Sequence, residues 1–373
     1  MESHQLSFVP PAYPYERLDG LRLLASRHEG GPIDCSIGTP VDAPPDFVVA
    51  ALGRATGARG YPPSAGTPEF RESAAQWLKR RLSVDVAASQ LAACVGTKEF
   101  VASLAQYLHL RRRDRDTVLY PAISYPTYAM GATLAGLRAV PVPMTRGVLD
   151  LESLDHADVS RALLLWSNSP SNPTGYLDDL AKVAQWGRDH DVLVASDECY
   201  ADFTWSGPPR SILEYGTDNV LAVHSISKRS NLAGVRAGFY AGDPEVVAYL
   251  RLVRQHAGLM VAAPVQAAVS LAYDDDQHVQ VQREVYWRRM QILGNALREV
   301  GITCPEPEGS FYLWCSRESM DGWQLASWLA ETAGLIVSPG ELYGPSASAY
   351  VRIAVVQPDT AIELAASRVS ESR

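Results

Sequence analysis

The chain has 373 residues, 47% of them apolar and 20% charged, with a formal net charge of −9. This length suits one large domain with a smaller one and gives apolar material for a sizeable core, while the acidic balance argues against a general nucleic-acid surface. The five cysteines are odd in number and contain no CxxC pair, which disfavours a disulfide framework or a zinc site and suits a reducing compartment.

The opening residues, "MESHQLSFVPPAYPYERLDG", lack the basic and then apolar regions of a secretory signal. No stretch carries the ~18 uninterrupted apolar residues of a membrane span. The cytoplasm is therefore the expected location. Residues 1–20, rich in Pro and Tyr, read as an arm that packs on another surface. From about residue 45 to 260, short apolar runs alternate with helical patterns. "TVLYP" (117–121), "ALLLWS" (162–167), "VLVASD" (192–197), "VLAVHS" (220–225) and "RAGFYAG" (236–242) read as strands buried on both faces. The basic run "RRRDRD" (111–116) is interleaved with acids and reads as a solvated helix end or turn. "DDLAKVAQWGRDH" (178–190) has the spacing of an amphipathic helix. Such alternation predicts an α/β fold with a largely parallel sheet. Residues 276–300 read as a long helix into a second region. There "GSFYLWCS", a helix through "GWQLASWLAETAG" and the late strand "YVRIAVV" make a smaller α+β domain. The expected division is 1–45 for the arm and part of the small domain, 46–270 for the large domain and 271–373 for the rest of the small one.

Ligands of open α/β sheets bind beyond the carboxyl ends of the strands. The strand at 162–167 is followed by "SNSPSNPTG", the next closes in "SDECY", and the one at 220–225 runs into "SISKRSN". An Asn, an Asp, a Tyr and a Lys thus converge on one rim. Taken singly, each has an ordinary reading. Lys228 is a surface lysine, Asp197 a turn or N-cap aspartate, and Asn172 part of an Asn-Pro turn. Tyr200 and Tyr125 are core aromatics, Arg236 a surface ion-pair partner, and Thr97 and Lys98 a helix start. Arg352 alternates with Val351 and Ile353 and so points to the other face of its strand, where a solvated edge is one reading.

Several strings, in order, bear on the choice: "GTP" (38–40), "GYPPSAGTPEFRESAAQWL" (60–78), "GTKE" (96–99), "SYPTY" (124–128), "SNPTG" (171–175), "SDECY" (196–200), "SISKRSNLAGVRAG" (225–238), "GSFYLW" (309–314) and "VRIAV" (351–355). Together they resemble the class I/II aminotransferases, pyridoxal-phosphate enzymes of fold type I, the aspartate aminotransferase fold. The resemblance spans nearly the whole chain. It implies a large domain with a mostly parallel mixed sheet between helices, and a smaller α+β domain. It makes Lys228 the residue that forms a Schiff base with the cofactor aldehyde and then moves the substrate proton. A lysine near other positive charge has the lowered pKa that base catalysis needs. Asp197 pairs with the pyridine nitrogen, while Tyr200 and Asn172 bond the phenolic oxygen and Tyr125 stacks on the ring. Ser225, Ser227, Arg236 and the amides of Thr97 and Lys98 take the phosphate. Tyr61 reaches the phosphate of the partner subunit, so a homodimer is implied. Arg352 clamps the substrate α-carboxylate and Gly38 allows close approach. No metal, nucleic acid or membrane enters; the partners are small amino and keto acids.

Within the family, "CSIGTPVD", "HSISKRSNLAGVRAGF" and "RQHAGLMVAAPVQAA" (254–268) resemble the actinobacterial type of N-succinyldiaminopimelate aminotransferase. That group is expected to carry a tyrosine where this chain has Val235. Arg229 and Val235 are therefore the first places to look for substrate choice, and Lys98 and Arg229 are candidates to meet extra substrate carboxylates, with a surface or phosphate-side role the other reading of Arg229. The implied reaction transfers the amino group of glutamate to N-succinyl-2-amino-6-oxopimelate, in lysine synthesis. The alternatives are an aminotransferase of aromatic or aliphatic amino acids, a C–S lyase on the same scaffold, and a non-catalytic regulator. The absence of a GxGxxG in the required context disfavours a nicotinamide dehydrogenase.

Overall fold

A computed structural model describes residues 8–54 and 59–372. The first seven residues of the expected arm lie outside the described residues. Seven strands form one sheet: β1 (Leu91–Cys94), β2 (Thr117–Pro121), β3 (Arg138–Val142), β4 (Ala162–Asn168), β5 (Leu193–Asp197), β6 (Val220–Ser225) and β7 (Gly238–Gly242). Their order is β1-β7-β6-β5-β4-β2-β3. The run from β6 to β3 is parallel, and β7 is antiparallel to both of its neighbours. The sheet is therefore mixed, as the α/β reading expects.

Strands β1 and β4 to β7 are buried along their whole length, because helices cover both faces. One face packs Phe70, Trp77, Leu165, Ala222, Phe239 and Tyr273 together; the other gathers Phe100, Tyr128, Trp166, Leu221 and Tyr240. Alternate residues of one strand feed the two cores, as the pleat requires. Two strands fall outside the sequence reading. β1, "LAAC", has no branched run, and β3 is an edge strand whose Pro141 is exposed, a position that tolerates proline. Helix α1 (Pro68–Leu82) starts where Thr67 accepts a bond from the Phe70 amide and Pro68 sets the first turn. Helix α2 (Thr97–Arg111) follows β1 directly. Helices α3 (Leu180–Asp189) and α4 (Ala263–Asp274) lead to α5 (Gln277–Glu299).

The later half of α5 enters a third core, through Tyr286, Leu293 and Leu297. This core surrounds a three-stranded sheet of β8 (Tyr312–Ser316), β9 (Ser338–Pro339) and β10 (Tyr350–Ala354), with β10 in the centre. Helices α6 (Gly322–Ala333) and α7 (Asp359–Glu371) cover it. Leu18, Leu21 and Cys35 belong to the same core, and Ile33–Asp34 pairs in parallel with Leu335–Ile336. The start and the end of the chain thus build one body. Among the described residues no helix is long and apolar enough to cross a membrane.

Candidate active site

The parallel strands deliver their last residues to one rim. Asn168 ends β4, Asp197 ends β5 and Ser225 ends β6. Past Ser225 the chain makes a single helical turn, Ile226–Arg229, which Ser225 caps by accepting a bond from the Ser227 amide at 3.1 Å. A cleft of about 250 Å³ opens here between the rim and the three-stranded sheet. It is lined by Gly38, Thr97, Lys98, Tyr125, Asn172, Asp197, Tyr200, Ser225, Ser227, Lys228, Arg236 and Arg352. Of the residues expected to hold the cofactor or the substrate α-carboxylate, Tyr61 alone is elsewhere. Its side chain is 97% exposed and lies outside this chain's own cleft.

Lys228 is half-buried, and its Nζ donates to the Gly38 carbonyl. Burial pushes its pKa down to about 8; Arg352 and Arg236 act in the same direction, against Cys199 and Asp197. A neutral amine is thereby available near physiological pH, as nucleophilic and base chemistry require. Burial raises the pKa of Asp197, while bonds from Cys199 and Tyr128 pull it back. The Tyr128 hydroxyl donates to one carboxylate oxygen at 2.9 Å and the Cys199 amide to the other at 3.2 Å.

Asn168 fixes the loop after β4. Its side-chain amide donates to the Asp197 carbonyl at 2.8 Å, and its oxygen accepts from the Asn172 amide at 2.7 Å. Asn172 in turn accepts from Arg352 Nη1 at 2.7 Å, which leaves its own NH2 group to donate into the cleft. Arg352 Nη2 donates to the Ser36 carbonyl at 2.5 Å, and Nε has no partner. The guanidinium lies 4.2 Å from the ring centre of Tyr312 and 4.9 Å from that of Tyr343. Because β10 is the central strand, Arg352 is 1% exposed; the solvated-edge reading does not hold. Tyr200 and Tyr312 share a hydroxyl–hydroxyl bond of 2.7 Å.

The remaining end of the cleft is built for an anion. The first amides of α2, from Thr97 on, have no acceptor within the helix. Arg236 adopts a left-handed backbone with φ of 53°, unusual for a residue with a side chain. Gly96 has φ of 75°, and a Cβ there would fall 2.1 Å from Arg236 Nη2. The glycine therefore keeps the space that the guanidinium needs beside the helix start. An anion cradle, a half-buried amine of lowered pKa and a buried carboxyl facing one cleft fit a phosphorylated pyridine aldehyde. The residues suit the cofactor that the resemblance implies. Among the described residues no group of three or more His, Cys, Asp or Glu could hold a metal ion.

Several lining residues escape the sequence reading. Tyr128 is legible in "SYPTY", one helical turn beyond Tyr125. Tyr312 sits in "GSFYLW" and faces the cleft from β8. Tyr13 and Tyr15 belong to the arm. The arm is expected to pack on another surface, yet these two line this chain's own cleft. Tyr13 accepts from Lys98 Nζ at 3.0 Å, and Tyr15 meets the Tyr343 hydroxyl at 3.2 Å.

Arg229 and Val235 do not stand where a role in substrate choice would put them. On a single helical turn Arg229 points away from the cleft side of Lys228, and it is 3% exposed. Its Nε donates to Asp202 at 2.9 Å and its Nη1 to the Ala272 carbonyl at 2.7 Å, between the rings of Trp77 and Tyr273. Ser230 bonds His278 Nε2 at 2.8 Å, and His278 Nδ1 meets Asp275 at 2.5 Å. The two residues after Lys228 thus pin its turn to the junction of α4 and α5. Val235 packs against the core on the Trp77 side of the sheet.

The family profile "Aminotransferase class I and II" matches residues 32–369. The chain is 41% identical over 368 residues to the 4-dedimethylamino-4-oxo-anhydrotetracycline transaminase OxyQ of Streptomyces rimosus, covering 96% of this chain and 99% of that protein. It is also 41% identical to the "Probable aminotransferase Rv1178" of Mycobacterium tuberculosis, over 96% of this chain and 85% of that one. Among solved structures, a "probable N-succinyldiaminopimelate aminotransferase" of Thermus thermophilus superposes with a TM-score of 0.87 at 30% identity, over 96% of this chain and 100% of that one.

Proposed function

The chain belongs to the class I and II aminotransferases and is a pyridoxal-phosphate-dependent transaminase, and from that premise we propose that it is a succinyldiaminopimelate transaminase of lysine biosynthesis. It moves the amino group of glutamate to N-succinyl-2-amino-6-oxopimelate. The observation that carries an acidic α-substituent is Arg352, a fully buried guanidinium at the cleft with an unpartnered Nε. Arginine's fork suits a carboxylate.

When bound, pyridoxal phosphate supplies the aldehyde that takes up the amino group and a ring that draws electrons from the substrate α-carbon. Lys228 Nζ takes and returns the α-carbon proton. The Asp197 carboxylate would pair with the ring nitrogen, Asn172 and Tyr200 would donate to the phenolic oxygen, and Tyr125 would cover the ring. Thr97, Lys98, Ser225, Ser227 and Arg236 would hold the phosphate. Gly38 keeps the mouth of the clamp open, since a Cβ there would lie 2.1 Å from the Tyr312 hydroxyl. Lys98 meets the phosphate through its main-chain amide, and among the described cations of the cleft it is the one whose ammonium has no such duty. We assign that ammonium to a distal carboxylate of the acceptor, with Tyr13 as the partner it leaves. The likeness to the Thermus protein supports this acceptor.

We also take the enzyme to be a cytoplasmic homodimer in which the exposed Tyr61 serves the neighbouring phosphate, with residues 46–270 as the large domain and 1–45 with 271–373 as the small one. A second reading rests on the higher identity to OxyQ: the acceptor is then a 4-oxo-anhydrotetracycline. The test is a panel with glutamate as donor, following 2-oxoglutarate release. The acceptors are N-succinyl-2-amino-6-oxopimelate, aromatic and aliphatic 2-oxo acids, and 4-oxo-anhydrotetracycline. A kcat/KM at least about tenfold higher for the succinylated acceptor is expected, a gap of roughly 1.4 kcal/mol; a comparable preference for another overturns the assignment. Pyruvate release from cystathionine without amino transfer identifies a lyase, and DNA or protein binding without turnover a regulator.

A further inference from the structure

We propose that Cys304 and Cys315 form a reversible disulfide, a covalent modification site in the body built around the three-stranded sheet. The inference is independent of which acceptor the enzyme uses. Thr303 and Ser316 make an isolated antiparallel bridge, with Thr303 N to Ser316 O at 2.8 Å and Ser316 N to Thr303 O at 3.0 Å. They are the hydrogen-bonded pair of the ladder. In antiparallel pairing, the next positions inward are 304 and 315, the non-hydrogen-bonded pair. There Cα atoms approach to about 4.5 Å and side chains are closest. That separation is at the near end of the ~4.4–6.8 Å that a disulfide spans. Both cysteines are free thiols and belong to the same buried core. Cys304 is 3% and Cys315 0% exposed.

Access comes from the outer segment. It is held to β8 by one bridge and to α5 by the bond that Arg298 Nη1 donates to the Cys304 carbonyl at 2.7 Å, and Pro305 next to Cys304 offers no amide to extend the ladder. Segments tied by few bonds open at low cost. Cys304 reacts first: it lies on the outer segment and its neighbour Cys315 lowers its pKa, whereas Cys315 lies within β8 and burial raises its pKa. With glutathione disulfide as oxidant, the Cys304 thiolate attacks one sulfur and releases one glutathione thiolate. Cys315 then gives up its proton and attacks the Cys304 sulfur, releasing the second. Two protein thiols become one disulfide, and one glutathione disulfide becomes two thiols. Dithiols reverse the bond by the same exchange, once the outer segment opens. It does not conflict with the absence of a disulfide framework.

The experiment exposes the folded holoenzyme to glutathione disulfide, quenches it, labels all free thiols in denaturant with N-ethylmaleimide and measures intact mass. Most molecules are expected to lose two of the five labels, with a 304–315 linked peptide in the digest and recovery of all labels after dithiothreitol. Cys315→Ser is expected to stop at the glutathione adduct on Cys304, and Cys304→Ser to keep its remaining thiols. Five labels on the treated wild-type protein, a link between other cysteines, or a persistent glutathione adduct on the wild-type chain overturns the proposal. The wild-type mass decides even if a variant fails to fold.

Discussion

The rim of the seven-stranded sheet and the three-stranded sheet opposite it face the same cleft but use different means. On the rim, the site consists of turns and caps just past strand ends: main-chain amides, small hydroxyls, Asp197, and Lys228 on a four-residue turn. On the facing sheet, Arg352 and Tyr312 project from strands. Turns need outside support to hold a geometry, and Arg229, Ser230, His278 and Asn168 provide it. A central strand carries its side chains without such help. The rim therefore distributes its function over many weak contacts, and the opposite sheet concentrates it in one guanidinium.

Mutations test this contrast, beginning with the largest effect. Lys228→Ala is expected to lower amino transfer by about 10⁴-fold or more, and borohydride should no longer fix the cofactor to the chain. Retention of wild-type turnover would refute the rim assignment outright. Arg352→Gln is expected to lower kcat/KM for carboxylate substrates by roughly 10²–10³-fold, with the cofactor absorption of the resting enzyme unchanged. If that absorption moved instead, the two sides of the cleft would not be separable. Arg229→Gln leaves Asp202 with the longer 3.3 Å contact to Arg81 and is expected to cost about 3 kcal/mol of stability, read by denaturant melts. Its order of preference among acceptors should be that of the wild type; a changed order would return Arg229 to the substrate.

Smaller effects follow. Lys228 has a folded pKa of about 8, below the 10.5 usual for a lysine. Below pH 8 the folded, cofactor-free chain must protonate a half-buried amine. This group's penalty is thus complete below pH 8 and is relieved as pH rises towards 10.5. Cofactor uptake by the apo-protein should accelerate with a midpoint near pH 8, and replacement of Lys228 by Met should flatten the matching rise in melting temperature. Smallest of all, Val235→Tyr is expected to change stability by less than about 1 kcal/mol and acceptor preference by less than about threefold.

The rim is the more legible side because strand ends follow a positional rule. Continuous apolar runs mark β2, β4, β5, β6 and β7, and whatever polar residue ends each run is a candidate. β1 and β3 lack such runs, one being short and alanine-rich, the other an exposed edge. The role of Arg352 is inferred from family resemblance, and its burial depends on β10 being central, which alternation within one strand cannot tell. Tyr13 and Tyr15 are hidden by the arm's lack of periodicity. Arg229 is misread because adjacent positions on a helical turn face different ways, and only the packing of Trp77 and Tyr273 fixes which way is which.

The closeness of Gly96 to Arg236 has a consequence for how such a chain can change over time. A side chain at 96 would have to displace the tip of Arg236 and also take up a left-handed backbone with φ of 75°. Loss of the arginine alone therefore does not open position 96, because the backbone still asks for glycine. A residue other than glycine at 96 in a related chain marks a rebuilt turn at the start of α2, readable without inspecting the lysine.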